Sequence, residues 1–432
     1  MSGGLFTTMP SAWGTTRLDH VATVHARIGW KALTAAEYQL AGYPFLATPN
    51  IKTPKIDFEN VNYISKFRFD ESPELKLQNG DVLLAKDGST LGIVNVVTDL
   101  QQEATVNGSI AVLRAFGIDP RFLRFVIASS VIQGHIGSVK DGMGVPHLFQ
   151  RDIKRFQLPL PPIEEQRRIA DFLDAETARI DRLISKRRAQ SQALSEQGTS
   201  HLSNTYQGLS GQYGVIRLRH MLMRIEQGWS PQCEDRTVEG DEWGIVKAGC
   251  VNSGNFDPRQ HKALPTGIQP RREYTLRSGD LLMSRASGSS DLIGSVGIVQ
   301  NLDNNLLLCD KVYRIKLDRT LGNPEFVAHM LRSHRVREHI KNGISGAEGM
   351  ANNLPTAVVK DCVVPKVPVE KQMSVVASLD RSAAKTKQAR RLLSRSVDGL
   401  AERRQALITA AVTGQFDVST ASGRNVTDGV HP

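Results

Sequence analysis

The residues best able to do chemistry on their own are few. Glu74-Leu75-Lys76, with Asp57 or Asp70 upstream, could mimic the two-acid-and-lysine set that holds Mg²⁺ in nucleases. Pro73, Leu75 and Leu77 make the tripeptide read instead as the lead-in to a strand, and the second half of the chain does not keep it. His329, His334 and His339 are spaced by five, about 140° apart around a helix, so they do not share a face. No Gly-Lys dipeptide occurs, which excludes a phosphate-cradling P-loop. An Asn-Pro-Pro-aromatic segment for amino-methyl transfer is also missing. Cys233, Cys250, Cys309 and Cys362 lie far apart and suggest neither a disulfide framework nor a zinc site. The expectation is a chain without its own catalysis, metal or cofactor.

Composition agrees with a binding role. The 432 residues are 40% hydrophobic and 23% charged, which excludes wholesale disorder, and the formal net charge is +10. Such an excess makes a polyanion a reasonable partner, with a solvated basic face as the plainer reading. Arg259, Lys262, Arg271, Arg272, Arg277 and Arg285 fall within 27 residues. Phe125–Val139, the longest uncharged stretch in a hydrophobic region, is too short to span a bilayer. Met1–Thr16 has no signal-peptide pattern, so no membrane role and a reducing, cytoplasmic location are expected.

The elements that must carry such a role are written twice. Arg17-Leu18-x-His20 returns as Arg217-Leu218-x-His220, and Leu77-x-x-Gly80-Asp81 as Leu276-x-x-Gly279-Asp280. Ser129 and His135 match Ser333 and His339. Pro159-x-x-Pro162-x-Glu164-x-Gln166 matches Pro365-x-x-Pro368-x-Glu370-x-Gln372. The offset grows from about 200 to 206 with order preserved, which marks a duplicated module rather than a solenoid.

Each copy divides in two. Asp81–Ala85, Gly92–Val97 and Ser109–Leu113 read as strands, as do 280–284, 295–299 and 311–315. Phe122–Ile136 and Phe326–Ile340 read as helices. A Pro-rich hinge then opens a long helical pattern. The seam in the first helix is Ile169, Leu173, Ile180, Leu183 and Leu194, with Phe172 and Ile184 beside it. In the second it includes Val376, Leu379, Leu393, Leu400 and Leu407. Neither helix could bury such a stripe alone, so an antiparallel coiled coil is predicted. The expected fold is α+β: domain 1 over 1–160, helix 1 over 161–207, domain 2 over 208–366, helix 2 over 367–418, and a flexible tail, 419–432.

Leu158-Pro-Leu-Pro-Pro-Ile-Glu-Glu-Gln166, followed by Ile169–Asp174 and Thr177–Ile184, resembles the conserved region of the DNA specificity subunit of Type I restriction–modification systems. Glu402–Val418 is similar to the end of that family's second helix. Gly80-Asp81-Val82-Leu83 with Gly88-Ser89, and Gly279-Asp280-Leu281-Leu282 with Gly288-Ser289, resemble its target-recognition domains. The resemblance runs from about 17 to 418. It implies two recognition domains, each reading half of a split target in double-stranded DNA, with helices setting the gap. It also implies partners: two DNA adenine methyltransferase subunits and an ATP-dependent translocase–endonuclease subunit. S-adenosylmethionine, ATP and Mg²⁺ would belong to those partners, and this chain would be no enzyme.

Candidate DNA-contacting residues are Lys86, Asp87, Ser89 and Thr90 in copy one, and Arg271, Arg272, Arg285, Ser287 and Ser289 in copy two, with Ser290 beside them. Two domains that read different bases must share scaffold and differ in reading residues, so the matching His135 and His339 are read as structural. Trp30 and Trp229, at matching places, read as core. Two other readings remain open: the recognition part of a fused restriction–methylation enzyme, and a two-armed protein-binding adaptor without a DNA role.

Overall fold

Val82-Leu-Leu-Ala85 is apolar at every position, the pattern of a strand covered on both faces. In the computed structural model it is a central strand of a four-stranded antiparallel sheet, ordered Ala22–His25, Ile110–Ala115, Val82–Ala85, Val94–Val96. Residues 6, 9–26, 33–52, 54–140, 146–252, 254–300, 302, 304–345 and 352–420 are described. A smaller sheet joins Asn62–Ile64, Tyr43–Leu46 and Thr105–Val106, the last pair parallel. Gly14–Arg17 pairs antiparallel with Gln157–Leu160 and closes the domain at the Pro hinge.

The second copy repeats this order strand for strand. Leu222–Gln227, Val312–Leu317, Leu281–Ser284 and Val296–Ile298 form its four-stranded sheet. His261–Ala263, Trp243–Val246 and Asn305–Leu307 form the three-stranded one, and Val215–Arg217 pairs with Val363–Pro365. The fold is α+β, as expected.

Each expected domain helix is two helices. Pro120–Ala128 and Ser130–Val139 meet at a 64° bend. Pro324–Leu331 and His334–Asn342 divide in the same way. The breaks fall at Ser129 and Ser333, both buried, whose hydroxyls donate to the Val126 and Met330 carbonyls at 2.6 and 2.7 Å. This back-bonding satisfies carbonyls at the helix end and explains why serine recurs there. No single helix among the described residues is long and apolar enough to cross a membrane. The bent pair at Pro120–Val139 meets that test only jointly, and its apolar residues are buried in the domain core.

The long helices span Ile163–Tyr213 and Val369–Val412. The chain divides into two units within both: Met1–Arg188 with Ser394–Pro432, and Ala189–Leu393. In the first unit Ile169, Leu173 and Ile180 share a core with Leu407, Ile408, Ala411 and Val412. Arg404 pairs with Asp181 at 3.0 Å, and the Phe172 and Phe416 rings lie 5.6 Å apart. In the second unit Leu202, Tyr206 and Leu209 pack with Val376 and Leu379. There Arg390 Nε donates to Ser191 Oγ at 3.4 Å and Lys371 Nζ to Tyr213 Oη at 3.5 Å. In each unit, later residues of one helix meet earlier residues of the other, so the segments run antiparallel.

Four details differ from expectation. Helix 1 continues past 207 to Tyr213, and the second copy's first strand begins at Val215. Tyr206 anchors that extra stretch: it is fully buried and donates to the Val363 carbonyl at 2.7 Å. Leu183, placed on the seam, is 40% exposed, because a step of four from Ile180 turns Ile184 inward instead. Leu393 is only half-buried, whereas Leu400 packs against the first unit's core. Of the expected tail, residues from 421 onward lie outside the described residues, while Val418–Thr420 form a short helical turn.

Candidate nucleic-acid interface

The repeated Gly-Asp pair shapes the edge of each main sheet. Gly80 and Gly279 sit at φ +91° and +83°, a backbone region that favours glycine, so the chain turns sharply before each central strand. Asp81 then accepts the Gln78 N–H at 2.8 Å and both arms of the Arg114 guanidinium at 2.9 Å. Asp280 repeats this, with the Arg277 N–H at 2.9 Å, Lys316 at 2.5 Å and Arg314 at 3.5 Å. Both carboxylates are buried, and both are paired. These matching residues hold scaffold.

The turn at the far end of each central strand carries the candidate residues. In copy one Lys86 is buried, its ammonium 3.1 Å from the Asp87 carboxylate. Asp87 also binds His147 Nδ1, and its carbonyl accepts from Thr90 Oγ1 at 3.2 Å. Lys86, Asp87 and Thr90 are therefore drawn together and partly spent on one another, leaving Ser89 exposed at the tip. His147 leads into a stack the sequence reading missed: its ring meets Phe149 edge-on at 4.5 Å, and Arg151 lies 4.6 Å over Phe149. Sixty residues separate His147 from Asp87, so no local pattern could have joined them.

In copy two the same turn holds different groups. Arg285 Nη1 donates to the Asp310 carbonyl at 3.2 Å, its guanidinium 6.0 Å from the Tyr313 ring. Ser287 Oγ accepts the Ser289 N–H at 3.2 Å, and Ser289 and Ser290 are exposed. Where copy one pairs Asp87 with His147, copy two pairs Ala286 with Asn353 through backbone alone.

Arg271 lies 4.7 Å over Trp229 and Arg272 5.9 Å over Trp243. Trp229 is half-buried, with one face in a core that includes Ile245 and Leu308 and the other under a cation. Its neighbour Ser230 hydrogen-bonds the Asp310 carboxylate, which places Arg271 close to the Arg285 turn. Trp30 and Lys31 lie outside the described residues. Arg259 is held by Asp257 at 3.0 Å and does not join this group by any contact among the described residues.

Beside the Ser230–Asp310 contact a cavity of about 470 Å³ is lined by Lys247, Lys262, Lys311, Gln232 and Cys233. Asp235 reaches Lys247 at 3.0 Å and Lys262 at 3.4 Å, and these lysines hold its carboxyl below the usual range. Three lysines against the Asp235 and Asp310 carboxylates, beside Arg271 and Arg285, make a basic surface able to follow phosphates. Lys247 and Lys311 were not singled out in the sequence, being 64 residues apart. Burial pushes the thiols of Cys309 and Cys362 up to about 12 and Cys250 higher still, so these three are inert core. The acidic trio dissolves as well, since Asp70 is engaged by Lys66 at 2.6 Å and Lys76 at 2.5 Å.

Residues 10–190 match the family model of the Type I restriction modification DNA specificity domain. The EcoKI specificity subunit of Escherichia coli K12 is 23% identical over 389 residues, covering 86% of this chain and 82% of that protein. The StySPI specificity subunit of Salmonella potsdam is 20% identical over 421 residues, covering 94% and 90%. Among solved structures, a chain from a study of complex assembly and conformational transition of the type I R-M system superposes with a TM-score of 0.72. Its identity is 18%, over 95% of this chain and all of that one. The HsdS subunit from Thermoanaerobacter tengcongensis gives 0.51 at 19% identity, over 96% and 100%.

Proposed function

This chain belongs to the DNA specificity subunits of Type I restriction–modification systems, and from that premise we propose that its two domains each read one half of a bipartite double-stranded DNA target. One observation carries the reading. Both copies repeat the same sheet order, yet the turn after the central strand holds Lys86, Asp87 and His147 in one and Arg285, Ala286 and Asn353 in the other. A common frame with different donors and acceptors is what two readers of different bases require.

In this reading Arg271, Arg285, Lys262 and Lys311 set position on phosphates, while Ser89, Ser287 and Ser289 stand where base edges would be met. The paired helices would fix the spacing of the half-sites and seat two DNA adenine methyltransferase subunits. An ATP-dependent translocase–endonuclease subunit would join for restriction. Catalysis, and with it S-adenosylmethionine, ATP and Mg²⁺, is assigned to those partners.

The test is a domain exchange. Replacing residues 1–157 by the matching segment of a relative, then sequencing the methylome of cells that carry the chimera, should change one half of the methylated motif and leave the other. A chimera that altered both halves would defeat the proposal.

A further inference from the structure

The first unit contains a second basic site, lined by none of Lys86, Asp87, Ser89 and Thr90. A cavity of about 670 Å³ lies between the domain and the helix segments of the same unit. Ile51, Ile93, Ile184 and Ile408 are among its apolar lining, and Lys52, Arg124, Arg188 and Arg404 supply four cations against one lining carboxylate, Asp181.

These cations are incompletely matched. Arg404 Nε stands 3.0 Å from Asp181 Oδ1 but off the hydrogen-bonding direction, so this buried N–H has no acceptor. Arg124 reaches Asp174 Oδ1 at 3.4 Å. Burial pulls its guanidinium below the ordinary value by more than Asp174 restores, and the like charge of Arg404 adds to the fall. The side chains of Lys52 and Arg188 have no ion pair or hydrogen bond among the described residues. Two close guanidiniums, one with an orphaned N–H, are costly unless an anion completes them.

The duplicated scaffold supplies an internal control. In the second unit a crevice of about 130 Å³ overlaps the corresponding place at three helix positions, Ala328, His329 and Arg332, which match Arg124, Phe125 and Ala128. There Ala328 replaces Arg124 and His329 replaces Phe125, and two lining carboxylates, Glu325 and Asp380, face a single guanidinium, Arg332, whose own Nε also lacks an acceptor. The fold therefore does not demand the cationic excess of the first unit.

We propose that this cavity is an oxyanion site that takes a phosphate group, held by Arg404, Arg188 and Lys52. A free phosphate compound and a DNA backbone phosphate present the same chemistry to it. The probe is inorganic pyrophosphate, titrated calorimetrically into the full chain. One saturable site is expected, weakened at least tenfold in the double variant Lys52→Glu/Arg188→Glu with an unchanged melting midpoint. A control carrying the same charge change at exposed Arg319 and Arg335, both to Glu, should bind as the native chain does. No saturable binding by the native chain, equal affinity in the double variant, or equal loss in the control would overturn the proposal. Repeating the titration on chain saturated with duplex DNA identifies the source. Competition assigns the site to a backbone phosphate, and undiminished binding assigns it to a free one.

Discussion

Gln166 Oε1 accepts the backbone N–H of Asp119 at 2.8 Å, tying the first turn of the long helix to the start of a domain helix. Its Nε2 donates to the Pro161 carbonyl at 2.8 Å, so one buried amide joins hinge, long helix and recognition domain. Asp119 is itself the cap, its carboxylate accepting the Arg121 and Phe122 N–H groups at 2.9 and 3.0 Å. Gln372 does the same for Asn323 at 2.7 Å and Val367 at 2.8 Å. The recurring Pro-x-Glu-x-Gln is thus a mechanical joint, and its glutamine is the working part. Gln166→Leu should cost about 2–6 kcal/mol, since it leaves a buried donor and a buried acceptor unpaired at about 1–3 kcal/mol each. Denaturant melts with an unchanged slope would measure it; a loss under about 0.5 kcal/mol would mean water replaces the amide.

The helix seam makes a paired prediction. Leu407 is fully buried in the first unit's core, whereas Leu183 is exposed. Leu407→Asp should destabilise by more than about 4 kcal/mol, because an unpaired carboxylate enters an apolar core. Leu183→Asp should stay within about 0.5 kcal/mol of the native chain. Equal effects in thermal melts would show that the buried face has been misassigned.

The duplication was legible because its markers are scaffold: Gly-Asp turns, helix-breaking serines and the hinge glutamine each perform a fixed backbone task twice. Strands at Val82–Ala85 and Leu281–Ser284 were legible for the same reason, as apolar runs between turns. The end of helix 1 was not. Gly198, Gly208 and Gly211 weaken its local pattern, and only tertiary packing of Tyr206 and Leu209 carries the helix on to Tyr213. Candidate site residues were partly legible. Arg271 and Arg285 stood in one basic run, but the His147–Asp87 pair and the Lys247–Lys262–Lys311 cavity are assembled by sheet pairing across dozens of residues.

Acid should weaken the second unit through His329. Burial, followed by the charge of Arg332, holds its imidazole below 6.5, against the opposing pull of Asp380 at 2.9 Å and of Glu325. A histidine whose folded pKa is depressed lends its stability fully above the unfolded value. That stability is lost as pH falls from about 6.5 through the folded pKa, because the unfolded chain then binds the extra proton. His329→Phe, which installs the residue that copy one has at the corresponding Phe125, should flatten this part of the pH–stability curve. An unchanged slope between about pH 7 and 5 would assign the effect to other groups.

Phosphate tracking and base reading separate by salt. On the proposed reading Arg271, stacked on Trp229, meets a phosphate. Arg271→Ala should weaken binding to all duplexes alike and reduce the slope of log affinity against log salt by about 0.9, one counterion's worth. Ser287→Ala and Ser289→Ala should leave that slope unchanged and alter preference at one half-site. A salt slope indifferent to Arg271 would remove it from the interface.

The gap between half-sites should follow helix length, and only when both helices change together. In each unit the two segments run antiparallel, through Arg404–Asp181 in the first and Arg390–Ser191 in the second. Lengthening one helix alone would slide one unit's register against the other's, so unequal insertion should cost stability and assembly. Equal insertion of seven residues after Arg188 and after Leu393, where the chain divides between its units, avoids that slip. Seven residues add about 10 Å and fall only about 20° short of two full helical turns, so the apolar faces stay aligned. DNA rises about 3.4 Å per base pair, which sets a ceiling of about 3 base pairs on the added gap. Methylome sequencing should then return both original half-motifs, separated by a longer gap. A gap unchanged by the paired insertion, in a variant that still methylates both halves, would show that something other than these helices sets the spacing.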